Sequence, residues 1–407
     1  MTDLTSTAAR SGDYLRLVRT EFATAKKIPC PAGSLPEWER SKTELRQKLL
    51  AAWGGFPQGA EKPRVKTLAT VQRDGYRVEK LLLETMPDVW MTALAYVPDK
   101  PGRNSQKKVA AVLNVHGHWA GAKQDPVVQS RCQGLAKLGF FVLAVDAFGA
   151  GDRAVGTKLG EYHGSLTAAT LVPTGYCLSA IQVFENMRAV DYLQTRPEVD
   201  GEKIGVTGAS GGGNQSMYVG AFDERIKCVV PVCSVGSYSV YLGVACCMCE
   251  VVPGAVRWTE EAGILSLTAP RALMVVNATR DAVQFSVKEA TGSLRNVQPI
   301  YDLYQAGTKL KHAIFESGHD YSQPMREAMY GWMTLQLKGT GDGSPIPEPK
   351  LELEDREQLR CFPEGSRPED FVTLPPSGRS AGTLLRRINR RQTRDRMRRG
   401  ARRRKRF

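Results

Sequence analysis

The stretch that decides the fold is "KIGVTGASGGGNQ", Lys203–Gln215, in which an apolar run leads into glycines around one serine. Two kinds of site share this pattern. In a dinucleotide-binding fold, glycines let the backbone approach a pyrophosphate. In a nucleophile elbow, they flank a serine on a strained turn between a strand and a helix. The first predicts a dehydrogenase and the second a hydrolase, so residues elsewhere in the chain must decide between them.

The dinucleotide interpretation fails at several positions. Short-chain dehydrogenases have a start similar to "VTGAS", but they carry glycine where this chain has Asn214. An acid that binds the ribose should end the following strand, and that strand ends in "VPVCSV" (230–235), without an acid. The Tyr-x-x-x-Lys pair of that family is also missing after Ser210. We therefore expect no nicotinamide or other organic cofactor.

Short apolar runs alternate with helical patterns along most of the chain. Residues 65–97 alternate between apolar and polar side chains, which predicts an antiparallel start to a sheet. The later runs are continuously apolar, as in strands buried on both faces; they are "KVAAVLNV" (108–115), "FFVLAVD" (140–146), "KIGVTG" (203–208), "IKCVVPVC" (226–233), "RALMVVN" (271–277) and "HAIFES" (312–317). This order predicts an α/β fold with a mostly parallel central sheet, flanked by helices, and antiparallel N-terminal strands.

Ser210 has the surroundings that a nucleophilic serine needs. It lies in Gly208-Ala209-Ser210-Gly211-Gly212, a G-x-S-x-G motif between a predicted strand and a predicted helix. Small neighbours are required there because the turn forces strained backbone angles on the serine and brings strand and helix close together. A serine hydroxyl is a weak nucleophile, so a base must take its proton and a third group must orient that base.

Candidates for the base and the acid follow later strands. His319 lies in the loop after the last predicted strand, and Asp281 lies in the loop after the strand before it. The order Ser210, Asp281, His319 is the order of catalytic residues in α/β-hydrolases. Glu316 and Asp320 are also acidic, but they are too close to His319 in sequence to orient it from across a cleft.

An oxyanion hole should complete such a site. The backbone N–H of Gly211, directly after the serine, supplies the first donor. The second should come from the loop "NVHGHWAGAK" (114–123), where His118 N–H is the first candidate and Trp119 N–H the next. His116 and His118 could instead be metal ligands, but the sequence offers no third ligand beside them, so we expect no metal.

Five segments give the chain a resemblance to the α/β-hydrolase superfamily over about residues 60–340. It is most similar to the acetylxylan esterase and cephalosporin-C deacetylase group. The segments are "HGHWAGAKQDP" (116–126), "LAKLGFFVLAVDAFGAGDR" (135–153), "RPEVDGEKIGVTGASGGGNQ" (196–215), "ATRDAV" (278–283) and "SGHDYS" (317–322). The resemblance implies Ser210 as nucleophile, His319 as base and Asp281 as orienting acid. It also implies that Asp146 to Asp152 shape a loop and take no part in catalysis.

The chain departs from the better-known deacetylases at two motifs. They carry Arg-Gly-Gln where this chain has "AFGAGDR" (147–153), and Ser-Gln-Gly-Gly where it has Ser-Gly-Gly-Gly. A carbohydrate or other small-molecule ester is therefore the expected substrate, with a dienelactone-type hydrolase or another carboxylesterase as the alternative. A prolyl-oligopeptidase-type peptidase fits less well because no propeller domain precedes the catalytic one.

Charge is concentrated at the C-terminus. Residues 379–407 contain thirteen Arg and one Lys against one acid, +13 of the chain's +14, so the remainder carries 14 − 13 = +1. A tail this basic could bind nucleic acid through phosphates, and it could equally be a solvated tail or an altered reading frame. We predict an N-terminal extension at 1–34, in which residues 1–33 are polar and irregular, and a catalytic domain at 35–345. A linker-like extension at 346–376 and a disordered tail at 377–407 should follow.

The nine cysteines do not indicate a disulfide framework. Their number is odd, and the N-terminus lacks the apolar core of a secretory signal, so we expect a cytoplasmic protein unless the start is mis-assigned. Cys246, Cys247 and Cys249 suggest a metal or redox site. A structural zinc normally needs four ligands in two separated pairs, and no partner pair is evident in the sequence. We therefore expect these three cysteines to pack.

Overall fold

The computed structural model describes residues 7–24, 27–28, 30–57, 59, 62–99, 108–154, 171–244, 247–363, 366–368 and 371. Within these residues one sheet of nine strands forms the centre of the molecule. The strands are β1 (Val65–Arg73), β2 (Tyr76–Met86), β3 (Val89–Pro98), β4 (Val109–Val115), β5 (Phe141–Val145), β6 (Val199–Ala209), β7 (Ile226–Val232), β8 (Ala272–Ala278) and β9 (Leu310–Phe315).

The strand order is β1-β2-β3-β5-β4-β6-β7-β8-β9. The first three strands pair antiparallel with one another, and β3 pairs antiparallel with β5. All pairs from β5 to β9 are parallel. The predicted fold class is thus confirmed. Parallel strands end at the same edge of a sheet, so the loops after β4, β6, β8 and β9 all leave the sheet on one side, where such folds bind ligands.

Helices cover both faces of the sheet. They are α1 (Thr7–Thr24), α2 (Leu35–Ala52), α3 (Pro126–Lys137), α4 (Leu178–Thr195), α5 (Gly211–Phe222), α6 (Tyr238–Gly243), α7 (Glu261–Ser266), α8 (Val287–Leu303) and α9 (Gln323–Met333). Side chains of α3 and α9 pack on one face, and those of α2, α4, α5, α7 and α8 pack on the other. No helix of the described residues is long and apolar enough to cross a membrane.

The continuous apolar strands are explained by this layering. Leu113 and Val115 of β4 point into one core cluster, and Ala110 and Val112 point into the other. Successive side chains of a strand face opposite ways, so a strand with helices on both sides needs apolar residues at every position.

The prediction that residues 1–33 are irregular is wrong, because α1 occupies Thr7–Thr24. The sequence of α1 is polar, and the tertiary contacts that support it could not be seen in the sequence. Phe22 packs against the core cluster of the neighbouring helices. Just after the helix, the Ile28 N–H donates to the Trp258 carbonyl at 2.7 Å.

Within the segment predicted as linker-like, the continuous described stretch 346–363 also packs against the domain. Gln133 of α3 donates to the Glu352 carbonyl at 2.9 Å and accepts from the Glu352 N–H at 3.0 Å. Gln129 makes the same pair of bonds with Glu354, at 3.0 and 2.8 Å. Gln129 and Gln133 are four helical residues apart, a rise of about 6 Å, and Glu352 and Glu354 are two extended residues apart, about 6.6 Å. The two glutamines therefore have the spacing of the backbone groups that they bind. We call residues 346–363 the C-terminal strap. The domain boundaries stay a prediction. The Arg-rich tail lies outside the described residues.

Candidate active site

Ser210 occupies a sharp turn between β6 and α5. Its backbone angles are φ 58° and ψ −129°. Residues that carry a Cβ rarely adopt a positive φ. The surrounding structure holds this turn: Ser210 N–H donates to the Val232 carbonyl at 2.9 Å, and Ser210 C=O accepts from the Gly213 N–H at 2.8 Å. Such strain on a serine at the carboxyl end of a central strand is the geometry of a nucleophile elbow.

The glycines of the motif are required by close backbone contacts. A Cβ at Gly208 would lie 2.4 Å from the Val115 carbonyl oxygen, and one at Gly212 would lie 2.6 Å from the same atom. A Cβ at Gly213 would lie 2.1 Å from Ser234 Oγ. These distances are shorter than van der Waals contact, so the turn around Ser210 can lie this close to β4 and to Ser234 only without side chains at these positions.

His319 and Asp281 meet across the loops after β9 and β8. His319 Nδ1 donates to Asp281 Oδ1 at 2.8 Å, and the Ala282 N–H donates to the same oxygen at 2.7 Å. The Asp281 side chain is fully buried, whereas the His319 side chain is 38% exposed. A buried carboxylate on Nδ1 fixes the tautomer that leaves Nε2 able to accept a proton.

Two aromatic rings lie nearly parallel to the His319 imidazole. Trp119 lies at 6.2 Å with an interplanar angle of 7°, and Phe285 at 5.7 Å with an angle of 21°. Together with His118, the residues Trp119, Ser210 and His319 line a cleft of about 220 Å³. The cleft therefore combines the candidate nucleophile, the candidate base and an apolar surface.

The loop after β4 approaches Ser210 through Gly117. A Cβ at Gly117 would lie 2.9 Å from Ser210 Cβ and 2.6 Å from the Ala209 carbonyl oxygen. His116 beside it is buried and neutral: its Nδ1–H donates to the Gly117 carbonyl at 2.7 Å, and its Nε2 accepts from the Ala147 N–H at 3.1 Å. Burial lowers the pKa of His116. Since both ring nitrogens are bonded within the protein, His116 supports the loop and is not placed to bind a metal.

A buried charge network holds the far end of this loop. Lys123 is fully buried and forms ion pairs with Asp146 and with Asp152, the latter at 2.6 Å. Thr92 Oγ1 donates to Asp146 at 2.6 Å, and the Cys361 N–H of the C-terminal strap donates to Asp152 at 2.9 Å. These contacts agree with the expectation that Asp146 to Asp152 shape a loop. We call Lys123, Asp146 and Asp152 the buried ion-pair cluster.

Two groups of described side chains have the types and spacing of metal ligands. The first consists of Cys233, Asp281 and His319. Burial, together with the Asp281 charge, raises the pKa of Cys233 to about 12, so it remains a thiol. Zinc bound at its usual distances would hold a nitrogen ligand and an oxygen ligand about 3.3 Å apart. His319 Nδ1 and Asp281 Oδ1 are closer than that, because they share a direct hydrogen bond of 2.8 Å. This group suits a base and its orienting acid better than a metal.

The second group consists of His118, Cys247, Cys249 and Glu250. His118 Nε2 lies 3.2 Å from Cys249 Sγ, although 131 residues separate the two in sequence. Sequence reasoning found no partners for the cysteines because the loop after β4 and the segment after α6 meet only in the folded protein. Cys246 lies outside the described residues.

Comparison with known proteins gives the family. The sequence profile of the Abhydrolase family matches residues 20–233, more than half of the 407 residues. The chain belongs to the Abhydrolase family. A second profile, BAAT / Acyl-CoA thioester hydrolase C terminal, matches residues 180–299. The matched ranges include Ser210 and Asp281, and the resemblance to the α/β-hydrolase superfamily is confirmed.

Three known proteins are similar to this chain at modest identity. "Putative hydrolase YtaP" of Bacillus subtilis (strain 168) is 28% identical over 247 residues, which cover 56% of this chain and 78% of that protein. "Methylesterase BT1017" superposes with a TM-score of 0.65 at 22% identity, covering 89% of this chain and 76% of that one. A "putative acetyl xylan esterase (BF1801)" from Bacteroides fragilis NCTC 9343 gives 0.59 at 19% identity, covering 76% and 82%. The two structures establish the shared α/β-hydrolase fold.

Proposed function

We propose that this protein is a serine hydrolase that cleaves carboxylic esters through an acyl-enzyme. The observation that carries the proposal is the strained Ser210 in one cleft with His319, whose Nδ1 is held at 2.8 Å by the buried Asp281. His319 takes the proton of Ser210 Oγ as that oxygen attacks the ester carbonyl carbon. It then gives the proton to the leaving alcohol, and water repeats the sequence to release the acid.

The negative oxygen of the tetrahedral intermediate needs donors that are already in place. Gly211 N–H is the first amide of α5, and the first N–H groups of a helix have no partner within the helix. The loop after β4 brings His118 and Trp119 to the same cleft. We assign the second donor to the His118 N–H, with the Trp119 N–H as the alternative within that loop.

Replacing Gly117 with alanine should test this loop. The new Cβ would lie 2.6 Å from the Ala209 carbonyl oxygen and 2.9 Å from Ser210 Cβ, so the loop must move away from the elbow. A displacement of about 1 Å at a reacting group can cost about 100-fold in rate. We expect kcat for p-nitrophenyl acetate to fall by about that factor, with a smaller change in KM.

A Gly292→Ala variant is the matched control for Gly117→Ala. Gly292 lies within α8, and a Cβ there has open space around it. Alanine is favoured over glycine in a helix by about 1 kcal/mol, so this variant should keep full activity and unfold at the same or a slightly higher temperature. A Gly117→Ala enzyme with the kinetics of Gly292→Ala would contradict the role given to the loop.

For the substrate we propose a carbohydrate ester. The support is the resemblance to acetylxylan esterases and the fold shared with a methylesterase and an acetyl xylan esterase. The ring of Trp119 gives the cleft an apolar face beside Ser210, and aromatic rings can pack against the apolar faces of small ligands. An acetyl ester places the sugar in the leaving alcohol, whereas a methyl ester places the larger group on the acyl side.

A labelling experiment combined with a substrate panel tests the proposed activity. A fluorophosphonate reagent should modify Ser210, identified by mass spectrometry of the labelled peptide. The panel should contain acetylated xylo-oligosaccharides, methyl esters of sugar acids, lactones, short aryl esters and a proline-containing peptide. We expect the highest kcat/KM on a carbohydrate ester. Preference for a lactone would favour a dienelactone-type hydrolase, cleavage of the peptide would favour a peptidase, and labelling at a different serine would contradict the assignment of Ser210.

A further inference from the structure

Four potential ligands from two distant loops meet beside the cleft. His118 comes from the loop after β4, and Cys247, Cys249 and Glu250 come from the segment between α6 and α7. One ligand atom from each lies within 4.8 Å of those of the other three, and Cys249 and Glu250 are buried. We propose that these four side chains bind one zinc ion.

The ligand types favour zinc over other common ions. Two thiolates and an imidazole suit Zn²⁺, whereas Mg²⁺ and Ca²⁺ prefer oxygen ligands. Four protein ligands fill a tetrahedral zinc site completely, which is typical of a structural ion and leaves no position for a reacting water. At usual bond lengths zinc would hold a nitrogen and a sulfur ligand about 3.5 Å apart. His118 Nε2 and Cys249 Sγ are 3.2 Å apart, so they need to separate by only a few tenths of an ångström.

Hydrogen bonds with two tyrosine hydroxyls already orient the segment that carries three of these ligands. The Tyr241 hydroxyl donates to Glu250 Oε2 at 2.7 Å and accepts from the Cys247 N–H at 3.0 Å. The Tyr218 hydroxyl, on α5, donates to the Glu250 carbonyl at 2.9 Å. Metal ligands in proteins are commonly held in this way by a second layer of hydrogen bonds. The arrangement therefore places the ligand-bearing segment against the helix that begins at Gly211.

The zinc would join the segment between α6 and α7 to the loop that carries the second oxyanion donor. This consequence rests on the proposed function, whereas zinc binding itself does not. With its ring on the metal, His118 has a fixed side chain, and the adjoining amides are fixed with it. The ion positions the loop and does not touch the substrate, so it acts as a positioning device and not as a Lewis acid.

Metal binding to these residues releases protons. Each cysteine must lose its thiol proton to bind zinc, so one Zn²⁺ replaces two protons while His118 binds in its neutral form and Glu250 as a carboxylate. The four ligands then carry a charge of −3 and the ion +2. Apparent zinc affinity should therefore rise with pH, by up to about 100-fold per pH unit below the thiol pKa values.

The test uses the full chain, reduced, stripped with a chelator and dialysed. After titration with Zn²⁺, elemental analysis should find one tightly bound ion per chain. Calorimetry in buffers of different ionisation enthalpy should show that two protons are released for each zinc ion bound. Co²⁺ in the same site should give thiolate-to-cobalt charge-transfer absorption and the intense visible bands of tetrahedral cobalt. Cys247→Ser and Cys249→Ser should each weaken binding by more than about 100-fold, and Tyr241→Phe by about 10- to 100-fold.

Cys30→Ser is the matched control, because Cys30 is a free, partly buried cysteine away from this group. It should bind zinc and cobalt as the unmodified protein does. The proposal is overturned if the reduced chain binds no stoichiometric zinc, if Cys249→Ser gives the same cobalt spectrum, or if Cys247 and Cys249 are found joined in a disulfide. Zinc binding together with full activity of Ser210→Ala would instead overturn the proposed function alone. Loss of activity in Ser210→Ala without zinc binding would overturn the zinc site alone.

Discussion

Ser210→Ala should lower kcat for p-nitrophenyl acetate by roughly four to six orders of magnitude, because the members of a serine triad act as a unit. Without the hydroxyl, His319 has no nucleophile to activate, and only water can attack the ester carbonyl. Binding is less affected, so KM should change little. The measurement is a steady-state assay on protein whose fold has been checked by circular dichroism.

A second substitution at the same position separates chemistry from stability. Ser210 has a positive φ of 58°, and a residue with a Cβ pays roughly 1–2 kcal/mol in that region. Ser210→Gly should therefore be as inactive as Ser210→Ala but unfold at a higher temperature. Ser239→Ala, at an exposed position of α6, should leave activity and stability unchanged. Residual activity above about 1% in Ser210→Ala would point to a different nucleophile.

Of the variants described here, Lys123→Met should lower the free energy of unfolding most. The substitution keeps an unbranched side chain of similar length but leaves Asp146 and Asp152 buried without their cation. Removing one partner of a buried ion pair costs about 3–5 kcal/mol. Urea unfolding should show the midpoint falling with little change in slope. Lys203→Met is the matched control, since Lys203 forms an exposed pair with Asp200 at 3.2 Å, and such surface pairs contribute about 0–1 kcal/mol.

The buried ion-pair cluster also makes the stability of the folded protein depend on pH. Burial opposes ionisation of Asp152, but Lys123 and hydrogen bonds to the carboxylate outweigh it and lower its pKa. A lowered pKa contributes stability that is present above the unfolded-state value of about 3.9 and is lost as pH falls through the folded-state value. Unfolding in acid should therefore be steeper for the unmodified protein than for Asp152→Asn. Equal slopes would contradict this role for Asp152.

Local signals made much of the fold predictable from the sequence. Ser34 caps α2 by accepting from the Glu37 N–H, Pro36 lies in its first turn and Gly54 follows its end with φ 80°. Ser, Pro and Gly at these places are the usual sequence signals of a helix start and end. The buried strands were found because each carries a run of apolar residues, and their ends differ from the prediction by a few residues. The start of β6 at Val199 was missed because its first residues are polar.

Contacts between distant segments could not be predicted. Asp281 and His319 were proposed from strand order, and the structure brings them together, but their catalytic roles stay predictions. Trp119 and Phe285 come from different loops, so nothing local in the sequence indicates that both rings lie beside His319. The strap was predicted as part of a linker because the run "KGTGDGSPIPEPK" (338–350), which is rich in Gly and Pro, leads into it. Its stabilising partners are two glutamines of α3, more than two hundred residues earlier in the chain.

The C-terminal strap has a consequence for synthesis on the ribosome. A domain generally folds as a unit during synthesis, and Asp152 accepts a hydrogen bond from the Cys361 N–H, 209 residues later in the chain. Cys361 and Phe362 also cover Leu82 of β2. The last strand of the central sheet ends at Phe315, but Leu82 stays uncovered by the strap until about fifty more residues have been made. A nascent chain paused within that interval should therefore expose apolar surface of the sheet at β2, and exposed apolar surface of this kind is what chaperones bind.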